Sequence, residues 1–64
     1  MKVEYDQVTD SMYISFKDVP SAESEEVSDG VVLDFNDDGV IVGIDIQHAS
    51  TRANIDQMIF ERVA

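Results

Sequence analysis

Hydrophobic and polar positions alternate most regularly between Val31 and Ile46, VVLDFNDDGVIVGIDI, where two strand-like runs flank Asn36-Asp37-Asp38-Gly39. Leu33 and Phe35 fall on one face of the first run, and Val40, Val42, Ile44 and Ile46 on one face of the second. A half-buried antiparallel hairpin requires that pattern. Asp38-Gly39 supplies the turn, because glycine accepts the positive φ that a side chain resists. The rest of the chain is organised around this hairpin.

Upstream, Met1 to Tyr5 sets Val3 and Tyr5 against Lys2 and Glu4, and Ser11 to Phe16 sets Met12, Ile14 and Phe16 against Ser11, Tyr13 and Ser15. With Asp6 to Asp10 between them, these runs predict a first hairpin. Pro20 has no N–H for a ladder and also restrains Val19, so Lys17 to Ser21 reads as a loop. Ala22 to Ser28 is mostly acidic and predicts a short edge strand, where Glu23, Glu25 and Glu26 discourage pairing with other chains. Asp29-Gly30 turns the chain back into the central hairpin. Gly43 interrupts the last strand, which predicts a bulge or local twist there and, as a second reading, close contact with a partner's backbone.

After Gln47 the period changes. Ser50 or Thr51 is a candidate N-cap, and TRANIDQMIFERVA reads as a helix from there to the C-terminus. Ile55, Met58, Ile59, Arg62 and Val63 share one face of that helix, and Ala53, Phe60 and Ala64 share another. Arg62 suits the negative end of the helix dipole, whereas Arg52 near the start does not. The expected architecture is α+β, with an antiparallel β-meander of about five strands covered by one C-terminal α-helix, in a single domain spanning residues 1–64. Its expected core is Val3, Tyr5, Met12, Ile14, Phe16, Val27, Leu33, Phe35, Val40, Val42, Ile44, Ile46, Ile55 and Ile59.

Composition narrows the functional classes. The formal net charge is −10, from 14 acidic and 4 basic side chains. Such a charge opposes the counterion release that drives proteins onto phosphate backbones, so no nucleic-acid partner is expected. The acids keep a small domain soluble, and a field of this sign draws in a basic protein, a cation or a cationic ligand. No basic-then-apolar leader opens the sequence and no apolar run approaches the ~20 residues of a membrane span, so a cytoplasmic protein without a membrane partner is the expectation. A chain of 64 residues with no cysteine lacks the disulfides and metal clusters that hold many small folds together. Oligomerisation is the remaining way to stabilise it.

Read together, Tyr5-Asp6, Asp10 to Ile14, Glu25-Glu26-Val27, Gly30 to Asp34, Asp38-Gly39, Val42 to Ile46 and Ala49-Ser50 resemble the family catalogued as Domain of Unknown Function 2283. Met12 stands where the family pattern expects Leu, a swap that preserves apolar volume. The resemblance implies a small bacterial or archaeal cytoplasmic protein of sheet-and-helix build, with no assigned reaction. Because some members are encoded beside small toxin-like proteins, it also implies an antitoxin or chaperone-like partner role. It implies no catalytic residue.

Candidate chemistry is sparse. Asp34 to Gly39 fits the opening D-x-[DN]-x-[DN]-G of an EF-hand calcium loop, with Asp45 at the twelfth position. Alternating strands flank it in place of helices, and Asp45 is shorter than the usual bidentate glutamate, so a plain turn is the expectation. His48 has no Ser, Cys or second His at a suggestive spacing and reads as a solvent-facing or capping residue at the strand-to-helix junction. Asp34 and Asp45 read as solvated acids of the outer face. No enzyme activity, cofactor or metal is expected. The leading reading is a non-enzymatic protein-interaction module acting as a homodimer and binding a basic partner, with Phe60, Ala53, Gly43, Asp34 and Asp45 as candidate interaction residues. The alternative is a small-ligand or metal-binding domain using the outer-face carboxylates around Gly43.

Overall fold

A computed structural model describes all 64 residues. Five strands form one antiparallel sheet: β1 (Lys2–Asp6), β2 (Ser11–Ser15), β3 (Glu23–Ser28), β4 (Val31–Phe35) and β5 (Ile41–Gln47), followed by one short helix, α1 (Ala49–Arg52). The fold is mostly β. No helix is long and apolar enough to cross a membrane.

The strand order is β1-β2-β5-β4-β3, which corrects the expected continuous meander. β1–β2 is a hairpin, β3–β4–β5 is a three-strand meander, and β5 closes against β2. The longest strand, β5, thereby acquires a partner on both sides. Glutamate-rich β3 takes an edge as expected, where its charges obstruct further pairing. The connection from Phe16 to Ala22 carries the chain to that far edge.

Opposed residues of an antiparallel pair share a face, so the register sorts the side chains. Val3, Ile14, Ile44, Leu33 and Glu25 form one row, and Tyr5, Met12, Ile46, Val31 and Ser28 the next. On the other face, Lys2, Ser15, Gly43, Asp34 and Ser24 form a row beside Glu4, Tyr13, Asp45, Val32 and Glu26. The sheet thus has one apolar and one polar face. Asp34 lies opposite Gly43 but Phe35 opposite Ile41, which leaves Val42 as the extra residue of a bulge directly beside Gly43.

The long C-terminal helix does not form. α1 starts with Ala49 and ends at Arg52, so neither Ser50 nor Thr51 caps it. His48 takes the N-cap position in the left-handed region (φ 54°) without a side-chain capping bond. Ala53 is extended, and the Asn54 side-chain oxygen accepts the Asp56 amide at 3.2 Å, a local turn that competes with helical bonding. A segment of this length is marginal as a helix without a surface to dock on. Arg52 consequently sits in the last turn of α1, at the favourable end of the dipole, and donates to the Asp29 carbonyl at 2.6 Å.

Without a covering helix the expected core stays open. The buried apolar side chains are Val42 and Ala49, and Val27, Val40 and Ile59 of the expected core are exposed by 51%, 53% and 72%. Val27 is displaced by an irregularity between Glu26 and Ser28, and Val40 precedes β5 in the turn. Ile59 belongs to the unformed helix.

Candidate functional site

Two arrangements on the sheet stand out, one on each face. On the polar face Tyr13, from β2, spans β5 to reach β4, where its hydroxyl donates to Asp34 Oδ2 at 2.5 Å. It can do so because the position between them is Gly43. A Cβ there would meet the Tyr13 hydroxyl and would lie 2.7 Å from its Cζ. Ser24 Oγ donates to the other Asp34 oxygen at 2.6 Å, so the bonds tie β2, β4 and β3 across the glycine. The bond to Asp34 leads, with desolvation and the Asp34 and Asp45 charges adding to it, in pushing the Tyr13 phenol up to about 12.

Of the candidate interaction residues, Gly43 and Asp34 are therefore brought together, with Asp45 opposite Tyr13 in the neighbouring row. Tyr13 and Ser24, which the sequence reading did not single out, complete the cluster. The available signal was a mid-strand glycine and an aromatic assigned to the same polar face, the combination in which an aromatic ring covers the gap a glycine leaves.

The Asp34 to Gly39 loop is a turn held by its own asparagine. Asn36 Oδ1 accepts the amides of Asp38 at 2.9 Å and Val40 at 3.0 Å, and Gly39 takes a φ of 77°. With Asn36 turned onto the backbone and both Asp34 oxygens accepting from Tyr13 and Ser24, these residues do not converge into a calcium cage. No group of three acids or histidines lies close enough together to hold a metal ion.

A second polar cluster fastens the corner of the fold. Asp10 accepts from the Tyr5 hydroxyl at 2.6 Å, the Ser50 amide at 3.1 Å and the Ser50 hydroxyl at 2.7 Å, while its carbonyl accepts the Ala49 amide at 2.9 Å. The bonds from Tyr5 and then Ser50 hold the Asp10 carboxyl below its ordinary range. These contacts secure the β1–β2 turn to the start of α1. His48, beside them, is exposed.

The apolar face is the larger feature. Residues from Ala53 to Met58 pass over the β1–β2 side of that face, where Ala53, Ile55 and Met58 with Val3, Tyr5, Met12 and Ile14 line an apolar groove of about 370 Å³. Beyond it Ile59, Phe60 and Val63 are 72%, 72% and 76% exposed. Ala53 and Phe60, expected to share a helix face, are thus separated. Toward the β4 side of the same face Leu33 and Phe35 are only half-buried, and Phe16 is 38% exposed.

Residues 2–50, from β1 to the start of α1, match the family model described as Protein of unknown function (DUF2283), and the chain belongs to that family. Comparison with curated proteins and with solved structures gave no match.

Proposed function

We propose that the protein is a non-enzymatic protein-interaction module that works as a homodimer in the cytoplasm. The observation that carries this reading is the uncovered apolar face. The chain exposes 5102 Å², against roughly 4,100 Å² for a compact monomer of this mass. Its radius of gyration of 12.6 Å likewise exceeds the roughly 10.7 Å of a compact chain of this length. The excess surface is comparable to the ~800 Å² each partner buries in an ordinary stable interface. A sheet whose buried apolar side chains are Val42 and Ala49 gains most of its missing burial by association.

Sedimentation equilibrium tests this. The wild type should be dimeric at high micromolar concentration, and Phe60→Glu, which places a charge on the most exposed aromatic, should weaken the dimer. A monomer throughout that range overturns the reading.

A basic partner protein is the second element of the proposal, favoured by the placement of Glu23 and Glu25. The register sets them opposite Phe35 and Leu33, so an acidic rim borders the apolar face on the β3 side. A basic, toxin-like protein with an apolar patch has matching chemistry, and its capture should weaken steeply with added salt and in Glu23→Gln/Glu25→Gln. The small-ligand alternative has less support, because the bonds from Tyr13 and Ser24 already occupy Asp34.

A further inference from the structure

The tail and the sheet of one molecule carry two apolar patches that do not meet. The tail crosses the β1–β2 side of the face with Ala53, Ile55 and Met58, and its end presents Ile59, Phe60 and Val63 to solvent. Leu33 and Phe35 on the β5–β4 side, and Phe16, which donates its amide to the Val42 carbonyl, do not line that groove. We infer that two copies exchange tails, the segment Ile59–Val63 of each covering Phe16, Leu33 and Phe35 of the other.

This assignment rests on the homodimer proposed above and names its contact surface. Two different patches on one chain, each fitting the other, close into a two-fold pair when tail meets face twice, so the assembly stops at two. The area agrees as well, since the surface in excess of a compact monomer matches one partner's share of a stable interface. The partner's sheet also supplies the dock that the tail lacks. Ile59 and Val63, four residues apart, share one side of a helical turn, which forms when the partner covers that side.

Complementation between two broken copies tests the exchange. Phe60→Glu spoils the tail and Phe16→Glu spoils the receiving face, at positions 72% and 38% exposed. Each variant alone carries the lesion in both tail-to-face contacts of its dimer. In a mixed pair both lesions fall in the same contact and the other is intact. Sedimentation should show the two variants as monomers when separate, and a mixed dimer at least roughly tenfold tighter than either homodimer, a difference well within the effect of one buried aromatic anchor. Phe35→Ser replaces Phe16→Glu if circular dichroism shows the latter to be unfolded.

A mixture that associates no better than its components overturns the exchange, because each tail then packs on its own sheet. Variants that each remain as dimeric as wild type also overturn it, placing the contact elsewhere, at the open edge of β1. Both results leave the homodimer standing. A wild-type monomer removes the homodimer itself.

Discussion

At Gly43 the missing side chain makes room for a tyrosine that crosses a whole strand. Adding a methyl group there forces the Tyr13 ring away, because the new Cβ would lie 2.7 Å from Cζ and closer still to the hydroxyl that Asp34 holds. Gly43→Ala should therefore destabilise the protein by about 1–3 kcal/mol, the usual range for overpacking. In a Tyr13→Ser background the same change should cost much less, and denaturant melts of the four proteins measure the coupling. Equal costs in both backgrounds would show that Gly43 is needed for the Val42 bulge alone. The phenol gives an independent reading of the same contact. Its pKa is raised from 10.0 to about 12, so the folded state holds the proton more tightly than the unfolded state does. The associated stability is complete below pH 10 and is lost as pH rises from there toward about 12. Ultraviolet titration of tyrosinate in a Tyr5→Phe background should place Tyr13 well above the ordinary phenol, and Asp34→Asn should bring it back. A normal titration in the parent would exclude the Tyr13–Asp34 bond in solution.

Among the elements, the strands were legible in the sequence and their arrangement was not. Period-two alternation located β1, β2, β4 and β5 to within a residue or so, and the glutamates marked β3 as an edge. The insertion of β5 between β2 and β4 depends on which long-range pairing buries more apolar surface, and no local pattern encodes that choice. The bulge beside Gly43 was readable because a glycine inside a strand marks either a bulge or a close approach by another group, whereas the Tyr13 contact became evident only once β2 was known to adjoin β5. The polar latch at Asp10 was illegible for a similar reason, since Asp10 and Ser50 meet across a separation of 40 residues. The tail shows the opposite failure: its helical periodicity is real, but periodicity records which side must be covered and not whether a cover is present. Asn54 contributes to the outcome by offering its side chain to the Asp56 amide. Asn54→Ala removes that competing bond and has a better helix propensity. Far-ultraviolet circular dichroism should show a gain in helix, larger as protein concentration rises. No gain at any concentration would mean that the tail is held extended by something other than its local turn.

For the whole molecule the governing quantity is a net charge of −10 spread over one thin sheet. Lys2 and Glu4 form the single ion pair, at 3.8 Å with both side chains more than half exposed, so nearly all the acids lack a counter-charge. An exposed pair of this kind contributes little. Repulsion therefore opposes folding within a chain, and it opposes the approach of a second, equally acidic copy. Sodium chloride at a few hundred millimolar shortens the screening distance below about 10 Å. It should raise the melting temperature at every protein concentration through the first effect, and should raise it further at high concentration through the second. Melting curves at two protein concentrations along a salt series separate the two contributions. A melting temperature that falls with salt would mean that the carboxylates are engaged in attractive contacts, and a rise independent of protein concentration would confine the repulsion to the single chain. Under the homodimer reading the two curves diverge as salt increases, because screening then strengthens an association that is driven by apolar burial and opposed by charge.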